Sequence, residues 1–290
     1  MEYNPNEKNP INKNLNKVSD NLINVCNEIL VNREKDCQCY ESSNNYPSKD
    51  FFNCIKKNST LKCKNYNKCK KLFSSFMSGT EPNYNPDYWS NPLIEGSHNC
   101  YMYFRNYKNP KVKNKCLKLC KKKRNNNNSC FTKKANTCGT LKPQPGNLAF
   151  KKGYIPSKKR VYNCNTMINK VLKDNYDPET KKSRIKLSNF SDKCPKGFHK
   201  GSLVVDPGNT YHFYRQDNNV RFSHKQGTLR VENIDACGKP IYAPHLSCRN
   251  YKKPNKDDGI NYTQHCAYMC VPTDYYNNNN NKINHNNGTL

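Results

Sequence analysis

The apolar positions of this chain change period once, near residue 194. Upstream they recur every three to four residues. In VSDNLINVCNEILVNREKD, Val18, Leu22, Ile23, Cys26, Ile29 and Leu30 form one helical stripe, and Ser19 or Asp20 stands at its start. FFNCIKKNSTLKCKNYNKCKKLFSSFM predicts a second helix around Cys69–Met77. NCYMYFRNY predicts a short helix capped by Ser97 or Asn99, with Cys100 in its first turn and Pro110 ending it. YNCNTMINKVLKDNYD predicts an amphipathic helix with Met167, Ile168, Val171 and Leu172 inward. From 194 the period becomes two. CPKGFHKGSLVVDPGNTYHFYRQDNNVRFSHKQG predicts three strands, with turns at Asp206–Asn209 and Asp217–Asn219. Helices followed by strands give an α+β class rather than a doubly wound sheet.

Three regions follow. Residues 1–80 are a basic, cysteine-containing helical region, packed on or tethered to the rest. Residues 85–272 are the main α+β domain, and 273–290 an Asn-rich tail expected to be disordered. The polar start has no apolar leader, and no run of 18 apolar residues predicts a membrane span. The chain is therefore expected not to be secreted. The 17 cysteines are then expected as reduced thiols or metal ligands, with disulfides only in an oxidising setting.

The formal charge of +28 favours polyanionic partners, either nucleic acid or acidic protein. Solvated surface lysines account for it equally well. The densest cluster is Lys118, Lys121, Lys122, Lys123 and Arg124. There is no RRM-type signature, GxGxxG or GxxxxGK[ST], so Rossmann and P-loop chemistry are excluded. No cofactor is called for. Zinc is the one metal considered, at Cys116, Cys120, Cys130 and Cys138, although their spacing lacks the usual CxxC pairs. His265-Cys266 with Cys270 is a looser set, read as buried thiols.

Cys100 is the candidate nucleophile, because partial positive charge at a helix start lowers a thiol's pKa. His212 is the candidate base on a downstream strand. A three-residue loop at 217–219 would set His224 directly opposite His212, and a two-residue loop would send the two to opposite faces.

The ordered set NCYMYF, KPQPG, CPKGFHKGSLVVDPG, YHFYRQDNNVRFSHKQGTLRVENIDACGKPIYAP and NYTQHCAYMCVP resembles an uncharacterised family of mimivirus-like giant viruses over about 85–272. More distantly it is similar to the NlpC and CHAP groups of papain-like cysteine proteins. The resemblance implies a papain-like antiparallel sheet, a cysteine hydrolase or acyltransferase of peptidase or amidase type, and a place in a virion or the host cytoplasm. It makes Cys100 the nucleophile, His212 the base and His224 the group that orients it, with Asp217 or Gln216 as fallbacks. Arg215, Gln216 and Lys225 would hold a substrate carbonyl or carboxylate. Phe222 stands where relatives carry tryptophan, and Val220 where they often carry glycine. The alternative from another class is a non-catalytic basic virion protein that binds DNA or acidic partners.

Overall fold

The computed structural model describes residues 18–37, 60–108, 143–150, 162–252 and 259–273. Two long helices open it, α1 (Asp20–Cys37) and α2 (Leu61–Ser75). Ser19 Oγ accepts the Leu22 amide at α1, and Thr60 Oγ1 accepts the Cys63 amide at α2. The Thr60 cap starts α2 eight residues before the Cys69 expected from the apolar pattern, because Lys- and Asn-rich turns hide its first half.

Among the described residues four short helices follow: α3 (Pro86–Trp89), α4 (Pro92–Glu95), α5 (Cys100–Phe104) and α6 (Asn147–Phe150). Asn99 is the cap of α5, its Oδ1 accepting the Met102 amide at 3.0 Å. The helix stops at Phe104 rather than running towards Pro110, because Asn106 takes a left-handed φ of 48°. The last helix, α7 (Cys164–Asp174), is capped by Asn163 and buries Met167, Ile168 and Val171 as the pattern predicts.

The strands are β1 (Tyr176–Asp177), β2 (Lys182–Ser183), β3 (Lys186–Ser188), β4 (Phe198–Asp206), β5 (Thr210–Gln216), β6 (Phe222–Lys225), β7 (Val231–Glu232) and β8 (Gln264–Pro272). β1 and β2 form a two-stranded ribbon, while the other six make one antiparallel sheet in the order β3-β8-β4-β5-β6-β7. The architecture is α+β, with helices on both faces of this sheet.

Odd-numbered residues of β4 and β5 face α5 and α7. Leu203, Val205 and Phe213 pack there with Tyr101, Phe104, Met167, Ile168 and Val171. Even-numbered Val204 and Tyr214, with Phe222 and Tyr268, face α1 and α2 and join Ile23, Leu30, Tyr66 and Phe73 in one buried cluster. The basic N-terminal helices are thus a layer of the same core.

Gly201 is required by a close approach. A Cβ there would lie 2.2 Å from Phe104 Cε2. Ten of the described cysteines form five disulfides: Cys26–Cys69, Cys37–Cys63, Cys164–Cys266, Cys194–Cys270 and Cys237–Cys248. The first two clamp α1 to α2. A bulge between Leu203 and Val204 shifts the register with β8. It leaves Cys266 on the α7 side, within reach of Cys164.

These bridges correct the expectation of reduced thiols. They also take Cys266 and Cys270 out of any metal set. Disulfides persist in oxidising compartments, so the host cytoplasm is not favoured. No helix among the described residues is long and apolar enough to cross a membrane. The proposed zinc ligands Cys116, Cys120, Cys130 and Cys138, the basic cluster at 118–124 and the tail from 274 lie outside the described residues.

Candidate active site

Cys100 is the one described cysteine without a disulfide partner. It is the first residue of α5, and the hydrophobic residues beside it fix where that helix sits. Tyr101 and Phe104 press their rings on Phe213 of β5, with centroids 5.2 and 4.6 Å away. This brings the Cys100 sulfur to the Phe213 backbone, which hydrogen-bonds it. β6 ends at Lys225 and its register with β5 covers residues 214–216, so the β5 edge at Phe213 lies beyond the pairing.

The thiol does not have the low pKa expected of a helix start. Burial pushes it up to about 12, against downward pulls from the Lys225 charge and the Phe213 backbone. A one-turn helix carries too little aligned dipole to offset that desolvation.

His212 sits one residue back along β5, and alternation puts its ring on the other face. It stacks on Tyr262 at 5.4 Å and 22°, and stands edge-on to Tyr214 and His224. Among the described residues no hydrogen bond joins it to Cys100.

The loop between β5 and β6 has neither of the lengths considered from sequence. It is five residues, 217–221, and sets Tyr214 opposite His224 and Gln216 opposite Phe222. His212 and His224 therefore share a face as diagonal neighbours, and His212 Nε2 lies 2.9 Å from His224 Nδ1. The extra length is absorbed at Val220, whose φ is 76°. That left-handed conformation is strained for a β-branched residue and free for glycine.

His224 Nε2 lies 2.9 Å from the carbonyl oxygen of Ile234. A carbonyl only accepts, so His224 carries its proton on Nε2 and presents a bare Nδ1. His212 must then donate from Nε2, which leaves His212 Nδ1 as a proton acceptor. Both rings stay neutral. Burial lowers His212 well below the usual histidine range, helped by His224, and lowers His224 to about 4 against a lift from Ile234 and Asp235.

The expected substrate-binding residues are placed differently. Arg215 is fully buried. Its Nε and Nη2 both reach Asp217 Oδ1, at 2.9 and 2.7 Å, Nη1 reaches Asn106 Oδ1, and the guanidinium stacks 4.0 Å over Tyr103. Asp217, one fallback for orienting His212, is consumed by this pair and by Ser223. Lys225 Nζ donates to the carbonyls of Glu95, Gly227 and Leu229 at 2.8–2.9 Å. Arg215 and Lys225 are thus internal cross-links rather than a cleft wall. Gln216, the other fallback, is also buried, and its Oε1 has no hydrogen-bond partner among the described residues.

Sequence reasoning missed Ile234 and Phe213, which act through backbone atoms that leave no side-chain signal. It also missed Tyr262, whose ring covers His212 from a distant strand connection.

No family model matches the chain, and no solved structure matches it. A 48-residue stretch is 50% identical to "Insoluble matrix shell protein 1" of Ruditapes philippinarum. The match covers 17% of this chain and 32% of that protein, so the chain spans about a third of its relative's length.

Proposed function

We propose that the chain is a cysteine-dependent hydrolase or acyltransferase, with Cys100 as nucleophile, His212 as general base and His224 as the group that orients the base. The observation that carries this reading is the hydrogen-bonded series His212–His224–Ile234, which fixes one tautomer and leaves His212 Nδ1 to take a proton. Its partner is a thiol left unpaired where the ten other described cysteines are bridged, held at the strand residue next to His212.

Thiol and imidazole are both neutral at rest, so activation is by proton removal during attack rather than by a standing thiolate. His212 Nδ1 takes the Cys100 proton as sulfur bonds to an amide or ester carbonyl carbon. The same proton then passes to the departing amine or alcohol as the thioester forms. Water, or another acceptor nucleophile, gives its proton to His212 Nδ1 as it bonds to the thioester carbon; the carbon–sulfur bond then breaks, the acyl group leaves on the new nucleophile, and the departing Cys100 sulfur takes that proton back as a thiol. His212 turns its ring to the face opposite Phe213, so this path requires substrate binding to bring sulfur and ring together around the β5 edge that β6 leaves unpaired.

The test is labelling of the oxidised full chain by an electrophilic acyl probe. One label at Cys100 is expected, lost in Cys100→Ala and slowed in His212→Ala. Labelling that persists in Cys100→Ala rejects the reading.

The five disulfides and the partial match to a shell matrix protein favour a second reading, a braced non-catalytic structural protein that binds acidic partners through its +28 charge, in a virion or another particle or matrix. DNA and an acidic polypeptide, each titrated with salt, test it. Binding should weaken steeply with salt, and absence of binding at low salt removes this reading.

A further inference from the structure

The carbonyl that sets the histidine tautomers belongs to a turn with unusual bracing. Asp235 follows Ile234 and is buried. Its Oδ1 accepts the amides of Cys237 at 2.9 Å and Lys239 at 3.0 Å, and its Oδ2 accepts the amide of Cys248 at 2.9 Å. Cys237 and Cys248 are themselves joined by a disulfide only 11 residues apart in sequence. The Ala236 amide adds a bond to the Cys248 carbonyl, and the Asp235 amide one to the Lys239 carbonyl. One carboxylate therefore ties down both ends of a covalent loop. The residue immediately before it delivers the acceptor for His224.

We infer that the Asp235 turn, buckled by the Cys237–Cys248 disulfide, is the positioning element of the histidine pair, holding the Ile234 carbonyl where it fixes the tautomers of His224 and His212. Asp235, Cys237 and Cys248 act through His224 and touch no reacting atom. The role in catalysis rests on the proposed function, whereas the tautomer assignment stands on the hydrogen bonds alone. If the carbonyl swings away, His224 can carry its proton on either nitrogen. In the Nδ1–H form it donates to His212 Nε2 and forces the His212 proton onto Nδ1, the atom that should receive the thiol proton. The loop is thus placed to keep that atom bare.

The experiment uses the full oxidised chain labelled with 15N. Two-bond proton–nitrogen correlation spectra of the imidazole rings report the tautomer of each histidine directly. In the unmodified protein both His212 and His224 should show protonated Nε2 and bare Nδ1. A Nδ1–H form or an averaged signal at either ring overturns the inference, with no variant needed.

In Cys237→Ser/Cys248→Ser and in Asp235→Asn the ring signals should move towards averaged values. Labelling of Cys100 should slow by at least about tenfold, part of the roughly 10²–10⁴-fold that general-base transfer contributes. A folded buckle variant, checked by its melting temperature, that keeps both tautomers also overturns the inference. The two proposals fail separately. Correct tautomers with an unreactive Cys100 remove the hydrolase and leave the buckle. A His212-dependent label with tautomers indifferent to the buckle does the reverse.

Discussion

Replacing Gly201 by alanine tests the placement of α5, on which the site depends. The new methyl carbon would lie 2.2 Å from Cε2 and 2.5 Å from Cδ2 of Phe104. Carbon atoms pack best at about 3.5–4.0 Å, so the ring must retreat by roughly 1.3–1.8 Å. It has nowhere to go. Phe104 is fully buried, with Phe213 at 4.6 Å on one side and the strand backbone on the other. The displacement must therefore pass to α5 as a whole, and Cys100 moves with it. Overpacking of this kind costs about 1–3 kcal/mol. For a chain of this size that lowers the melting temperature by about 2–12 °C, at roughly 2–4 °C per kcal/mol. Calorimetry under oxidising conditions measures it, and Cys100 labelling reports the displacement independently. Gly201→Ala/Phe104→Leu should recover at least half of the loss, because a smaller side chain vacates the contested volume. A melting temperature within about 1 °C of the parent, with labelling unchanged, would refute the packing of α5 on β4.

Burial lowers the Lys200 amine from 10.5 to about 7. The unfolded chain then holds a proton that the folded chain has released between those values, so stability should rise with pH across that window by up to about 1.4 kcal/mol per unit. Lys200→Met should flatten the slope in urea titrations at pH 7, 8 and 9. An identical slope in the variant assigns the dependence elsewhere. Asp217→Asn leaves the Arg215 guanidinium buried without its counter-charge and should cost about 3–5 kcal/mol by denaturant unfolding; a loss below 1 kcal/mol would mean that water reaches Arg215. Cys194→Ser/Cys270→Ser opens a bridge spanning 76 residues. Chain entropy puts the loss near about 4.5 kcal/mol, to be read from the urea midpoint of the oxidised variant, and an unchanged midpoint would argue against that pairing.

Much of the framework is written locally. Ser19, Asn99 and Asn163 each supply an acceptor to an amide three residues on, so helix starts can be read from neighbouring residues. The alternation through 198–216 marks β4 and β5, and the choice of His212 and His224 rests on residues close together in the chain. The α2 start was missed because its cap precedes a stretch of lysine and asparagine with few apolar marks.

Other features depend on distances that no local pattern encodes. The five-residue loop, made possible by Val220 at φ 76°, decides that the two histidines share a face. Which cysteines meet depends on strand order and on the bulge opposite Leu203–Val204. Arg215 and Lys225 look like substrate ligands in a polar hairpin, yet the layers closing over both faces turn them into internal ties. The same closure pushes the Cys100 thiol up rather than down. Caps and periodicity are contests between adjacent groups, which the chain order states outright. Desolvation, and the pairing of residues a hundred positions apart, exist only once the sheet and its two helical layers have excluded water.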